Sequence, residues 1–345
     1  MLLASYVSNH SQCVRSDDNY SSILPITSGV PQGSTLGPLL FLLFINDFPS
    51  VIQYTHDSLF ADDLKLIALL SNIETQMDID NLLQWADING MEYNIPKSKL
   101  FPSSNSTQSS ALRLGENPFV QVDQILDLGV LISKDLKWKD HILKAIQKSI
   151  KVFQFIRRAL PFSLSIGKKL MLYKTLVLSI LLYASPCWAP CCFSLQCLES
   201  FQKKVLRWVC PGLDYECTLE RLNLLPICYQ LVQADIILLW KIVNQHVDFH
   251  IAMPFKQKSK RTRNSGLNLF EITDSSKWKS KEKFCIRAPW ISNVLLADKI
   301  IDFNWPLAKF KHALFEYLRN LTRTKFNYYN TCTYHVKCRC SVCRS

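Results

Sequence analysis

Apolar and polar positions change their spacing several times along the chain, and each change marks an element. Gly29, Pro31 and Gly33 break the chain into a turn, Pro38 falls where a first helical turn tolerates it, and an unbroken apolar run from Leu39 to Ile45 follows. This pattern predicts a loop feeding a buried helix. In Ser58 to Ala68, SLFADDLKLIA, two apolar arms flank a pair of aspartates, which predicts strand, two-residue turn and strand with the carboxylates at the tip. Ser71 and Glu74 have capping-box spacing, and Ile73, Met77, Leu82, Leu83 and Ala86 follow at helical intervals until Gly90 closes an amphipathic helix. Met91 to Asn94 reads as a short strand stopped by Pro96, Ser103 to Ser110 as a polar surface loop, and Ile125 to Ile132 as another strand.

Beyond this point the period is helical. From Trp138 to Leu160 the apolar Ile142, Ile146, Val152, Phe153 and Ile156 alternate with Lys139, Lys144, Lys148, Lys151, Arg157 and Arg158, so the face opposite the core is basic. Residues 164–247 read as mainly helical, with Pro186, Pro190, Pro211, Gly212 and Pro226 as punctuation. Thr175 to Leu198 carries no charge and is long enough to cross a bilayer, but two prolines and Gln196 break it, so a buried helix and a turn are expected. Lys256, Lys258, Lys260, Arg261 and Arg263 form a basic run with few apolar neighbours, as in a linker or an exposed arm.

Composition sharpens the picture. The 345 residues are 48% hydrophobic and 20% charged, which excludes a disordered or fibrous chain. The formal charge is +12, from 40 Lys and Arg against 28 Asp and Glu, and it is uneven: residues 1–100 hold 4 basic and 11 acidic side chains. An acidic front precedes a basic body suited to a polyanion. The 13 cysteines are odd in number and no secretory leader is visible, so reduced thiols and a cytoplasmic or nuclear location are expected. Cys187, Cys191, Cys192 and Cys197 lie in an apolar context that reads as buried packing.

Two places offer chemistry. Asp62 beside Asp63 places two repelling carboxylates on one turn, an arrangement that a divalent cation relieves. At the C-terminus, Cys332, His335, Cys338, Cys340 and Cys343 include one C-x-x-C spacing, which leaves two readings open: a small zinc knuckle or unpaired reduced thiols.

The order of motifs, SGVPQGS at Ser28 to Ser34, FADD at Phe60 to Asp63, a helix, NGMEYNIPKSK and then DLGVLISKDLKWKDHI, resembles the palm and thumb of reverse transcriptases of non-LTR (LINE-type, jockey-like) retrotransposons. The likeness runs on through YASPCW at 183–188, LESFQKKVLRWV at 198–209 and ERLNLLPI at 220–227. It implies an RNA template, a DNA primer held with it as an RNA/DNA hybrid, deoxynucleotides and Mg2+ as the partners of a two-metal nucleotidyl transfer. By residue, it implies that Asp62 and Asp63 hold magnesium and that Lys97 lies near the nucleotide phosphates. Ser28, Gly29, Pro31, Gln32, Gly33, Phe60 and Ala61 would line the nucleotide and template, and Leu128 and Gly129 would grip the primer. Lys139, Lys144, Lys148 and Lys151 would follow the nucleic-acid backbone.

The family's earlier carboxylate motif, an FD...AFD pattern, does not occur among the 27 residues before Ser28, and Asp17 and Asp18 lie in a polar stretch without strand arms. The expectation is therefore a C-terminal polymerase part, lacking fingers and first carboxylate motif, inactive by itself. Its alternative is a non-catalytic nucleic-acid-binding remnant of that enzyme. The expected fold is α+β: a partial palm with a small antiparallel sheet over residues 1–133, a helical thumb over 134–165 and a mainly helical region over 166–253. A basic linker and helical segment over 254–331 and a Cys-rich tail over 332–345 complete it, with no membrane segment.

Overall fold

The structure is a computed structural model that describes residues 6–30, 33–68, 72–102, 112–161, 163–189, 192–247, 255–257, 270–272 and 283–324. It divides into two compact units, Met1–Ile125 and Leu126–Ser345. Mixed helices and small sheets make it an α+β chain; its described strands form two-stranded pairs rather than one larger sheet.

The first unit is built on helix α1 (Gly37–Phe44), strands β1 (His56–Phe60) and β2 (Asp63–Ile67), and helix α2 (Asn72–Ile88). β1 and β2 pair antiparallel from His56 opposite Ile67 to Phe60 opposite Asp63, which bears out the predicted strand, two-residue turn and strand, but the loop is Ala61 and Asp62, and Asp63 opens β2. The core gathers Ile45, Phe48, Leu82, Trp85 and Ala86, with Phe41, Leu59, Leu64 and Leu66 packed on it. The Phe48 and Phe44 rings meet Trp85 edge-on at 4.7 and 5.9 Å.

Three expectations change here. The apolar run does form a helix, but it is not buried: Leu39, Leu42, Leu43 and Phe44 are exposed, Leu43 by 65%. A helix that is apolar all round needs cover all round, and the described residues cover one side. Met91 to Asn94 is not a strand. Gly90 turns left-handed at φ +65°, Met91 N–H returns to the Ala86 carbonyl at 2.8 Å, and Asn94 caps a 3-10 turn over Ile95–Lys97. Ile125 to Ile132 is two strands, β3 (Gln124–Asp127) and β4 (Val130–Ser133), because Leu128 and Gly129 both take positive φ and reverse the chain.

The second unit is helical. Its elements are α3 (Lys139–Ala159), α4 (Ile166–Leu172) continued by a π turn over Tyr173–Leu178, α5 (Ser179–Leu182), α6 (Ser185–Trp188) and α7 (Cys192–Val209). After them come α8 (Tyr215–Arg221), α9 (Ile227–Val243), α10 (Phe284–Ala297) and α11 (Leu307–Thr324). Apolar stripes at helical spacing build two large cores. One joins Ile142, Phe153, Val177, Leu181, Leu198 and Val205, and the other joins Ile236, Leu239, Ile291, Leu295, Phe310 and Leu314. Trp138, Trp208 and Tyr215 pack against the first.

Ile166–Trp188 has the length and apolarity of a membrane span. It is not one continuous helix, since Ala184 turns left-handed at φ 50°, and Tyr173, Val177, Leu181 and Trp188 lie buried in the core. Lys256 stands in a short strand, Phe255–Gln257, paired with Phe270–Ile272, so that part of the basic run is neither linker nor free arm. Cys187 is exposed and Cys197 half-buried, against the expected buried packing for these two, while Cys191 and the side chain of Cys192 lie outside what is described. Ser71, the loop over 103–110, the basic run from Lys258 to Arg263 and the cysteines of the tail lie outside the described residues.

Candidate functional site

The acidic pair is positioned by the pleat of its hairpin. Leu59, Leu64 and Leu66 face the core. Side chains alternate along a strand and cross-strand partners share a face. The other face therefore carries Ser58, Phe60, Asp63 and Lys65, with Asp62 at the turn beside them. Ala61 takes φ +51°, the sense that lets a two-residue loop follow the strand twist, at a cost an L residue usually avoids. Asp62 and Asp63 are exposed, and among the described residues neither carboxylate has a hydrogen bond or ion pair.

The entry to β1 is held by a residue that the sequence reading did not single out. Asp78 of α2 is fully buried, and its carboxylate accepts from Gln53 N–H at 2.8 Å, Tyr54 N–H at 3.0 Å, Thr55 N–H at 2.7 Å and the Thr55 hydroxyl at 2.8 Å. Burial raises its pKa, but these donors outweigh it and hold the carboxyl below the ordinary value. A lone acid on the inner face of an apolar-patterned helix was the available signal.

Lys97 is exposed at the end of the 3-10 turn, which Tyr93 anchors by donating to the Leu82 carbonyl at 3.2 Å. Burial pushes the Tyr93 phenol up to about 12. Ser28 and Gly29 lie on an exposed stretch, Gly33 follows it, and both glycines take positive φ; Pro31 and Gln32 lie outside the described residues. Among the described residues, no hydrogen bond or ion pair joins this loop, Lys97 and the acidic pair.

In the second unit, Leu128 and Gly129 form the turn of the β3–β4 hairpin, with φ 44° and 84°. Tyr183 closes over it: its hydroxyl donates to the Leu128 carbonyl at 2.8 Å, and its ring lies 3.4 Å from where a Gly129 Cβ would stand. Gly129→Ala is thus expected to cost about 2 kcal/mol, from backbone strain and from displacing the ring. Tyr183→Phe should cost about 1 kcal/mol. Urea denaturation checks both, and a Gly129→Ala variant as stable as wild type would remove the account.

His141 ties the same hairpin to α3, its Nδ1 accepting Leu131 N–H at 3.1 Å. Burial, with Lys144 nearby, lowers its pKa and keeps the ring neutral, as that bond requires. On α3, Lys139, Lys144, Lys148 and Lys151 are all exposed. The motifs further along prove to be structural anchors. Glu199 accepts from the Tyr215 hydroxyl and from Ile227 N–H at 3.0 Å, while Gln202 donates to the Leu225 carbonyl at 3.1 Å.

Residues 2–132 match the family described as reverse transcriptase (RNA-dependent DNA polymerase). Over that stretch the chain is similar to reverse transcriptases. The chain is 29% identical over 199 residues to the RNA-directed DNA polymerase from mobile element jockey of Drosophila melanogaster, covering 53% of this chain and 22% of that protein. It is 27% identical over 237 residues to the probable RNA-directed DNA polymerase from transposon X-element of the same species, covering 64% and 26%. These relatives agree with the non-LTR retrotransposon family that the motifs resemble. It spans about a quarter of their length. The longer alignment exceeds the domain match, so the likeness continues into the helical unit.

Proposed function

We propose that the chain serves as part of an RNA-directed DNA polymerase in which Asp62 and Asp63 help to hold magnesium during transfer of a deoxynucleotide to a primer. The observation that carries this reading is the hairpin: two adjacent carboxylates, unmatched among the described residues, at the tip of a strand pair inside the stretch similar to reverse transcriptases. Magnesium takes hard oxygen donors, commonly one or two carboxylates with water and substrate phosphate. Asp62 and Asp63 supply such oxygens, but no cluster of three or more His, Cys, Asp or Glu forms among the described residues. The pair fits a portion of a two-metal site rather than all of it.

When bound, such ions lower the energy of charge on the attacking and leaving oxygens. The chain's own residues do the positioning. Leu59, Leu64 and Leu66 fix the hairpin, Ala61 orients the turn, and Asp78 fixes the entry to β1. Lys97 offers a cation for phosphates, the Ser28 to Gly33 loop takes the nucleotide and template, and the Leu128–Gly129 turn holds the primer. By itself the 345-residue chain is expected to incorporate no deoxynucleotides on a primed RNA template with magnesium, because Asp62 and Asp63 are only part of the carboxylate set that two ions need and no larger cluster forms among the described residues.

The test grafts residues 56–67 in place of the matching hairpin of a jockey-type polymerase. An active graft silenced by Asp62→Ala and Asp63→Ala is the expected result, and a graft that binds template yet does not polymerise sinks the assignment. Incorporation by the 345-residue chain alone would overturn the expectation of inactivity.

A second reading, binding of nucleic acid without catalysis, is favoured by the exposed lysines of α3. It expects affinity for an RNA/DNA hybrid that falls steeply with salt as counterions are released.

A further inference from the structure

The outward surface of α3 holds more than lysines. Residues spaced alternately by four and three share one face of a helix, and Lys144, Lys148, Lys151, Phe155 and Arg158 follow that spacing without a break. All five are exposed, and Ile142, Ile146, Ser149, Phe153 and Ile156 are buried on the other side. The stripe extends ~21 Å at 1.5 Å per residue, about the rise of six nucleotides at 3.4 Å each.

Phe155 is the anomaly in it. Its side chain is 65% exposed although every neighbour in the stripe is cationic. Phe153, two positions earlier, shows the alternative fate of an aromatic on this helix. It is buried against Phe201 and Trp208, with Arg157 over its ring. Phe155 makes no ring contact among the described residues.

We infer that this stripe is a binding site for unpaired bases of single-stranded nucleic acid, with the lysines and Arg158 taking phosphates and Phe155 stacking on a base. Duplex phosphates give a flat apolar ring nothing to contact, because the faces of paired bases are covered by their neighbours. Unstacked bases present those faces, and stacking on an aromatic ring tolerates any sequence. This rests on the reading that α3 meets nucleic acid, and it adds the strand state and the residue that selects it.

Fluorescence anisotropy of the full chain with a labelled decathymidylate, and with an abasic strand of equal charge, tests the site. Wild type should bind the base-bearing strand on the order of tenfold more tightly. Phe155→Ala and Phe155→Leu should abolish that preference, and Phe155→Trp should keep it. Changing Lys144, Lys148 and Lys151 together to Gln should weaken both strands and reduce the salt slope by about 2, at roughly 0.7 per phosphate.

Equal wild-type affinity for the two strands, with the slope still lowered by the lysine changes, overturns the stacking and leaves phosphate binding on α3 intact. An unchanged slope in the lysine variant sinks both. A marked loss of urea stability in Phe155→Ala also overturns the proposal, since it would mean that another part of the chain covers the ring.

Discussion

Arg287→Ala is expected to destabilise the helical unit by about 3–5 kcal/mol, measured by urea denaturation followed by circular dichroism. Arg287 and Asp235 are 2% and 0% exposed, and the guanidinium clasps the carboxylate twice, Nε to Oδ2 at 2.8 Å and Nη2 to Oδ1 at 3.1 Å. Nη2 also donates to the Pro186 carbonyl at 3.3 Å, so one side chain joins α10, α9 and α6. Removing the arginine takes a cation and two charge-assisted hydrogen bonds from a carboxylate in the core, and that loss sets the cost. The double change Arg287→Met with Asp235→Leu should recover most of the loss, because matched apolar groups replace a buried ion pair at little net expense. A double variant no more stable than Arg287→Ala would mean that uncompensated charge is not the cause.

Asp78→Ala is expected to cost about 3–5 kcal/mol in the first unit, since it strands three backbone N–H groups and a hydroxyl that now share one carboxylate. It should also loosen the entry to the hairpin that carries Asp62 and Asp63. The pH dependence follows from the lowered pKa. A carboxyl whose folded value lies below its unfolded value contributes stability that is complete above the unfolded value of 3.8 and is lost as pH falls through the folded one. The difference between wild type and Asp78→Asn should accordingly be widest near neutral pH and shrink below pH ~4. A difference that stays constant from neutral pH to pH ~3 would detach the effect from ionisation of Asp78.

The local parts of the site were legible because the sequence states them locally. Apolar arms around Asp62 and Asp63 specify a hairpin and its turn, and the lysines of α3 follow a period that sets them opposite Ile142, Ile146, Phe153 and Ile156. What was not legible depends on partners far away in the chain. Asp78 meets donors more than 20 residues earlier, and Asp235 meets Arg287 across 52 residues. Each is recognisable in sequence as a misplaced acid on an apolar helix, but nothing in the sequence names its counterpart.

Two errors came from backbone conformation. A single apolar run through Leu128 and Gly129 hides a reversal, and the strand expected at Met91 yields to Gly90 and Pro96. The exposed α1 is a third kind of miss: composition says that a helix wants burial, and says nothing of whether cover exists among the described residues.

Among the described residues the two units differ sharply in how much apolar material they bury, with two broad clusters behind the helices and two small ones behind the hairpin. Local opening free energy follows buried contact density, so backbone amides around Asp62 and Asp63 belong to the part of the molecule that opens first. Whatever docks on that hairpin, ion or nucleotide, binds its closed form and shifts the opening equilibrium toward it. Part of the ligand's intrinsic affinity is then consumed in ordering the hairpin, so apparent affinity there reports the closed fraction as well as the contacts made.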